Sequence, residues 1–433
     1  MELPESALSA VVCRGGPDNL FFCAQAVCTS RKILRLNGHD IAGIYAVSGP
    51  DPVAVLGCIG KEKKLCDILL RLTPQDIVGD MDDLKSVKHL SEAIDMLLHL
   101  KKANVPVWRT VWRALVQERK ELFRDLGKTK ELLEKIKLGH IIDNKVLGAL
   151  LIKHARPYLD RIFGSDAILM KIGATDFLTG QQVIFSNKIP EHKDWLFPAI
   201  LGSMGLVPQF PAITIDHPKE LKLVDKTHPD FDNLLLIDGG YSTGLLVDEA
   251  IREPIGYDVI FIIDINGVQV SDFDINTSYN ILTRILRALS IRSTTHDRLI
   301  LSIQDRIDEE ISIKNKIVVA REKLAEAKKL SHRPEDLDAI LKLLDYVLNN
   351  MNYGRLRLHD KHAPQRVMIS NPEQVIPFDF TNFTQTQAAH LMRAGHNAAL
   401  KTLRELGLNT KGIPFICTDG DCRQAIQILN HTR

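Results

Sequence analysis

One carboxylate side chain directly follows an apolar segment of the sequence. Asp238 follows the apolar run Leu234–Ile237 and precedes Gly239 and Gly240. A short apolar run bounded by glycines is typical of a buried strand, so we expect the carboxylate at the edge of a sheet. Glycine lets the backbone turn with positive φ and lets a ligand come close, although Asp-Gly is also common turn chemistry. Asp238 is therefore either a turn residue or a group that orients a reacting atom.

A second chemical group stands at the end of an earlier apolar run. Ile41–Val47 predicts a strand, and Ser48 begins a Ser-Gly-Pro turn. Asp51 and Pro52 are residue types favoured in the first turn of a helix, with Asp51 as its cap. A serine hydroxyl between a strand and a helix can attack a carbonyl carbon if a base takes its proton. A plain turn is the alternative interpretation.

The segments between these two residues carry a longer pattern. Ala174–Gly180 reads ATDFLTG, and Gly202–Pro211 contains a Gly-Ser pair, Pro208 and a Phe-Pro pair. This order, followed by Asp-Gly-Gly at Asp238, resembles the patatin-like phospholipases. The likeness continues in Ile255–Asp264, which resembles the next strand of that family, and in two later segments that resemble its closing strand and helix, Val375–Phe380 and Leu391–Gly395.

The resemblance implies a mechanism. The family uses a Ser-Asp dyad to hydrolyse acyl esters of lipids, with no metal or organic cofactor. Asp238 would be the general base for Ser48, and the amides of Gly15 and Gly16 would hold the oxyanion. Gly239 and Gly240 would support the carboxylate. The substrate would be a lipid or another small acyl ester, and a peripheral contact with a membrane is compatible with that role.

The nucleophile region departs from the G-x-S-x-G pattern of the family. Three registers remain open, which place Ser48, Asp51 or Tyr45 at the serine position. As simpler interpretations, Asp51 is a helix cap and Tyr45 is part of the core. Pro17 follows the glycine pair and supplies no N–H to an oxyanion. Since one such donor is worth about 10²–10³ in rate, a catalytically inactive patatin-like protein that binds lipid or protein is the second hypothesis.

Composition excludes several other classes. The chain has 433 residues, of which 45% are hydrophobic and 25% charged, and a net charge of +1, which argues against a nucleic-acid-binding surface. The 7 cysteines form no Cys-x-x-Cys pair, so neither a zinc site nor a disulfide scaffold is indicated. No phosphate-binding glycine motif is present. Without a membrane-length apolar run or a signal peptide, the sequence predicts a cytoplasmic protein; its oligomeric state is not predicted.

Alternating strand and helix patterns predict the fold. We expect an α/β domain over residues 1–433, with a mainly parallel sheet and helices on both faces. Residues 74–163 are expected to form a helical insertion or cap, and residues 278–350 a second, charged helical insertion. The predicted strands are Ser9–Cys13, Ile41–Val47, Ala167–Ile172, Gln182–Phe185, Leu234–Ile237 and Val259–Ile263.

Overall fold

The computed structural model describes most of the chain. The described residues are 3, 7–78, 145–206, 210–216, 220–223, 233–267, 281–330, 334–350, 364–371 and 383–415. Pro208, Val375–Phe380 and residues 79–144 of the expected helical cap lie outside them.

Within these residues the sheet has eight strands, and most of their pairings are parallel. The strands are β1 (Leu8–Cys13), β2 (Asp40–Val47), β3 (Leu169–Asp176), β4 (Gln182–Ser186), β5 (Ile213–Asp216), β6 (Asn233–Ile237), β7 (Val259–Ile263) and β8 (Gln365–Ile369). Their order is β5-β6-β3-β2-β1-β7-β8, and β4 pairs with β3. The strands β1, β2, β3, β7 and β8 are joined by parallel pairings, whereas β4, β5 and β6 join by antiparallel ones.

Helices connect the strands and cover the sheet. The α-helices are α1 (Pro17–Leu36), α2 (Asp51–Gly57), α3 (Glu62–Arg71), α4 (Pro74–Val78), α5 (Lys145–Ala155), α6 (Leu159–Ile162), α7 (Leu196–Ser203), α8 (Val247–Ile251), α9 (Ile281–Leu330), α10 (Pro334–Asn350) and α11 (Gln385–Glu405). Short 3₁₀ helices span Arg156–Tyr158, Pro190–His192 and Gly239–Tyr241.

The two faces of the sheet have separate cores, which confirms the expected α/β fold class. Alternate residues of β1 show the division: Val11 packs in the larger core with α1, α2 and α11, and Val12 packs in the smaller core with α8. Both side chains are fully buried. A strand buried on both faces is apolar along its whole length, which explains the continuous apolar runs of β1, β2 and β7.

The larger core depends on close contact between two helices. α1 is buried along most of its length, and α11 crosses it at Gly395. A Cβ atom at Gly395 would lie 2.2 Å from the carbonyl oxygen of Phe22, so this crossing requires glycine. The segment Leu391–Gly395, which resembles the closing helix of the patatin-like family, lies in α11.

The position of β6 brings two strand ends together. Thr175 of β3 pairs with β4 and β6 at once, so these two strands lie on opposite sides of β3. Gly173 pairs with β4 and β2 in the same way. β2 and β6 therefore share one side of β3 and approach each other end to end. Ser48 follows β2 and Asp238 follows β6, so the two residues meet at this junction.

Sequence patterns located six of the strands but not every boundary. β3 continues to Asp176 instead of ending at Ile172, because its last residues pair with β6. β5 and β8 were not expected. Ile213–Asp216 contains four residues, of which only Ile215 is buried, and so short a segment cannot be distinguished from a loop by its sequence pattern.

The charged region at residues 278–350 forms two helices. α9 and α10 pack against each other, with ion pairs between Arg321 and Asp345 and between Lys328 and Asp338. α9 also carries buried polar residues, among them Thr294 and Asp297, which contact the loop after β1. The N-terminal half of α9 therefore belongs to the surroundings of the Ser48–Asp238 junction.

Candidate active site

A serine and a carboxylate are in direct contact at the junction of β2 and β6. The hydroxyl of Ser48 donates a hydrogen bond to Oδ2 of Asp238, with 2.5 Å between the oxygens. Both residues are 8% exposed. Of the three registers that the sequence left open, only the one with Ser48 brings a hydroxyl to this carboxylate.

Ser48 has a strained backbone. Its φ is +60°, and among the described residues other than glycine only Lys222 also has a positive φ. A serine in this conformation, between a strand and a helix, projects its hydroxyl away from the sheet edge, as in the nucleophile elbows of α/β hydrolases. Such strain persists only where neighbouring contacts hold it, and it is concentrated at functional sites.

Ser203 provides one of the contacts that hold Ser48. The amide of Ser48 donates to Oγ of Ser203 at 2.8 Å, and Oγ of Ser203 donates to the carbonyl oxygen of Gly173 at 2.6 Å. Ser203 is fully buried at the C-terminal end of α7. It therefore ties the elbow to β3. The sequence pattern placed Ser203 in a family motif but assigned it no role.

Two backbone contacts orient Asp238. Its amide donates to the carbonyl of Gly205 at 3.0 Å, and its Oδ1 accepts the amide of Gly240 at 2.7 Å. Burial raises the pKa of the Asp238 carboxyl to about 6, against the opposing effect of the hydrogen bonds from Ser48 and Gly240. At neutral pH the carboxyl is mostly ionised and still basic enough to accept a proton.

Glycine is required at two positions by close backbone contacts around the dyad. A Cβ atom on Gly49 would lie 2.3 Å from the carbonyl oxygen of Gly16, and one on Gly239 would lie 2.2 Å from the carbonyl oxygen of Gly173. The Asp-Gly-Gly sequence therefore serves packing as well as turning, because Gly239 lets β6 end directly against β3.

The glycine pair after β1 contributes differently from the expectation. The amide of Gly15 donates to the carbonyl of Gly244 at 3.0 Å, so it is already bonded within the fold. Gly16, with φ +131°, and Gly49 have amides that donate to no described residue. The residue after the nucleophile supplies an oxyanion amide in serine hydrolases with an elbow. Gly49 directly follows Ser48 in the Ser-Gly-Pro turn, so its amide is placed to serve in this way if Ser48 is a nucleophile.

Asp51 lies behind the dyad, in the first turn of α2. Its amide donates to the carbonyl of Ser48 at 3.0 Å, and its side chain is fully buried. The expected capping role is wrong, because Pro50 occupies the cap position and no side chain caps α2. Burial raises the pKa of the Asp51 carboxyl well above its usual value; the hydroxyl of Ser203 opposes this shift and the charge of Asp238 adds to it.

Tyr45 is the residue that the third open register places at the serine position. It lies in the smaller core, on the face of the sheet opposite the larger core. It is fully buried, and its hydroxyl is 3.0 Å from that of Tyr257. The core interpretation of Tyr45 is confirmed, and no contact joins it to Ser48 or Asp238.

A buried ionic network holds the glycine loop. The guanidinium of Arg14 donates to Asp297 at 3.1 Å, to Asp264 at 3.3 Å and to Thr294 at 2.6 Å. Asp297 also accepts the amide of Gly244, whose carbonyl holds the amide of Gly15. The sequence did not identify this network, because Arg14 is separated from its side-chain partners by 250 to 283 residues.

The ATDFLTG segment has a structural role that explains its residue types. Asp176 accepts hydrogen bonds from the amide of Thr179 at 3.1 Å, from the hydroxyl of Thr179 at 2.6 Å and from the amide of Leu235 at 3.2 Å. Gly180 has φ +70°, which completes the turn into β4. Asp176 therefore connects β3 to β6 and helps to place Asp238.

The described ranges contain no group of three or more His, Cys, Asp or Glu residues that could hold a metal ion. In the same part of the chain, no helix combines the length and the hydropathy needed to cross a membrane.

Comparison with known proteins gives a limited result. No family model matches the chain, and no curated protein matches it. Among solved structures, the chain is similar to VipD from Legionella pneumophila, with a TM-score of 0.33 and 10% sequence identity over 93% of this chain and 67% of that one. A similarity this weak carries no conclusion about activity.

Proposed function

We propose that this chain is a patatin-like acyl ester hydrolase with Ser48 as nucleophile and Asp238 as general base. The observation that carries the proposal is the direct bond from the Ser48 hydroxyl to the Asp238 carboxylate at a strained strand-to-helix turn. Backbone strain at a serine that faces a basic carboxylate is hard to explain as a packing feature, since a relaxed turn would fill the same space.

The residues support a two-step reaction. Oγ of Ser48 forms a bond to the acyl carbon as its proton passes to Asp238, and the amides of Gly16 and Gly49 stabilise the oxyanion. The bond to the leaving alcohol then breaks, and the alcohol takes the proton from Asp238. Water attacks the acyl-serine in the same way, with Asp238 as base, and releases the acid and the free serine.

Mutation of the dyad tests this proposal with a short activated ester as substrate. We expect Ser48→Ala to reduce turnover to the buffer rate and Asp238→Asn to reduce kcat/KM by about 10²–10⁴. Ser165→Ala, at an exposed serine outside the site, is the matched control and should retain wild-type turnover. Circular dichroism checks that each variant is folded. Wild-type turnover equal to that of Ser48→Ala would contradict the proposal.

A lipid substrate is supported by the turn between β3 and β4. Phe177 and Leu178 follow Asp176 and are 55% and 54% exposed. Asp238 lies beside β3 near Ala174, and three residues of strand span about 10 Å, so the turn extends beyond the site at the same end of the sheet. Two large apolar side chains there are suited to contact with an acyl-chain surface.

The apolar turn can be tested separately from the dyad. We expect the double variant Phe177→Ser, Leu178→Ser to hydrolyse phospholipid vesicles about tenfold more slowly, while hydrolysis of the soluble ester is retained. Tyr346→Ser, at a 65% exposed residue of α10, is the control. Equal loss on both substrates would show that the turn supports the fold and not lipid contact.

A second candidate function is a catalytically inactive protein that binds lipid through the same apolar turn. It is favoured by the Gly15 amide, which is bonded to Gly244 and so is lost to the oxyanion. Vesicle binding without turnover in the assays above, abolished by the double variant at the turn, would favour this candidate.

A further inference from the structure

Asp51 is a buried carboxyl group with no hydrogen-bond partner. Its relative exposure is 0%, and neither of its side-chain oxygens has a hydrogen-bond partner. A buried ionised carboxylate without a partner is strongly unfavourable, so an ordinary structural role does not explain the residue. Its backbone is bonded to the carbonyl of Ser48, which fixes the carboxyl next to the nucleophile.

The hydrogen bonds of Ser203 determine what Asp51 can do. A serine hydroxyl has one proton and two lone pairs. Ser203 gives its proton to the carbonyl of Gly173 and accepts the amide of Ser48, so one lone pair is left. The proton of Ser203 is therefore not available to an ionised Asp51, and that form has no donor to stabilise it.

The charges around Asp51 lead to the same conclusion. Among the ionisable groups of the described residues, Asp238 is the one whose charge acts on Asp51, and it is a like charge. β2 presents Ser48 to this region and α7 presents Ser203, both of which are uncharged. Two carboxyl groups in one buried pocket do not both ionise readily. Asp238 has a hydroxyl and an amide as donors, so the negative charge is more stable there.

We propose that Asp51 is a neutral carboxylic acid during the hydrolysis proposed above, and that its proton keeps a second negative charge out of the site. If Asp51 loses its proton, its charge opposes both ionised Asp238 and the oxyanion that forms on the substrate. The inference rests on the proposed function for its effect on rate, but not for the protonation state itself.

The protonation state is measurable without turnover. The infrared C=O stretch of protonated carboxyls should be present in wild type at pH 7, lose the intensity of one carboxyl in Asp51→Asn and keep its intensity in Asp166→Asn, which changes an exposed carboxyl. Ser48→Ala should keep the band that is lost in Asp51→Asn. A wild-type spectrum without the band, or a band of unchanged intensity in Asp51→Asn, would overturn the inference whether or not the protein is an enzyme.

The effect on rate is read from the pH profile of kcat/KM with the activated ester. Wild type should show a bell, with the acid limb from Asp238 and the alkaline limb from Asp51. Asp51→Asn, which is neutral at every pH, should lose the alkaline limb and keep the acid limb. Asp51→Ala should lose the alkaline limb as well, because it also removes the ionisable group. An unchanged alkaline limb in Asp51→Asn would overturn the proposed role.

Discussion

Three buried aspartates near the end of β3 differ in the number of donors that face them. Asp176 accepts bonds from three backbone amides and a hydroxyl, Asp238 from one amide and one hydroxyl, and Asp51 has no partner for either oxygen. The same side chain therefore has three roles in one region. A carboxylate that accepts several hydrogen bonds is suited to a structural link between strands. A carboxylate that accepts fewer can still take a proton as a base, and a carboxyl group that accepts none is most stable as a neutral acid.

A pH-dependent effect on stability is expected at Asp238. Its folded pKa of about 6 is above the unfolded value near 3.8, so the folded state holds the proton more tightly. The stability linked to this group is complete below the unfolded pKa and is lost as pH rises through about 6. The loss amounts to about 2 kcal/mol between pH 4 and pH 7. Asp238→Asn should remove this pH dependence from the free energy of unfolding measured by urea titration.

A matched measurement distinguishes Asp238 from the other aspartates. Asp166→Asn, at an exposed carboxyl, should leave the pH dependence of the unfolding free energy as in wild type. If Asp238→Asn keeps the wild-type slope between pH 4 and pH 7, burial does not raise the pKa of Asp238 and the comparison with Asp176 fails.

An intermediate effect is expected at Ser203, which joins the turn at Ser48 to β3. Ser203→Ala leaves the buried amide of Ser48 without an acceptor and the carbonyl of Gly173 without this donor. The cost of an unsatisfied buried group is about 1–3 kcal/mol. We expect a loss of that size in the unfolding free energy and a fall in kcat, because the elbow is no longer fixed. Ser203→Cys, which keeps a weak donor and acceptor, should recover part of both.

The sequence predicted the fold better than the site. Runs of apolar residues located β1, β2 and β7 because these strands are buried on both faces. The sequence predicted that Ser48 and Asp238 lie close together because both residues follow strands, but that reason is incomplete. The two residues meet because β6 pairs antiparallel with β3, and this pairing depends on residues that are distant in the chain. No local sequence pattern indicates the hydrogen-bond network of Arg14 or the lack of hydrogen-bond partners for the side-chain oxygens of Asp51.

The smallest effect is expected at Asp176, where the loss of one donor leaves three amides in place. Thr179→Val removes the hydroxyl that bonds Oδ2 of Asp176 and keeps the side-chain shape. The net cost of one such hydrogen bond is about 1 kcal/mol, seen as a lower urea midpoint with an unchanged slope. The amides of Thr179 and Leu235 still hold the carboxylate, so β6 should remain in register and turnover per folded molecule should match wild type. A large loss of turnover in this variant would mean that Asp176 acts on Asp238 directly, and the separation of structural from reactive carboxyls would then be wrong.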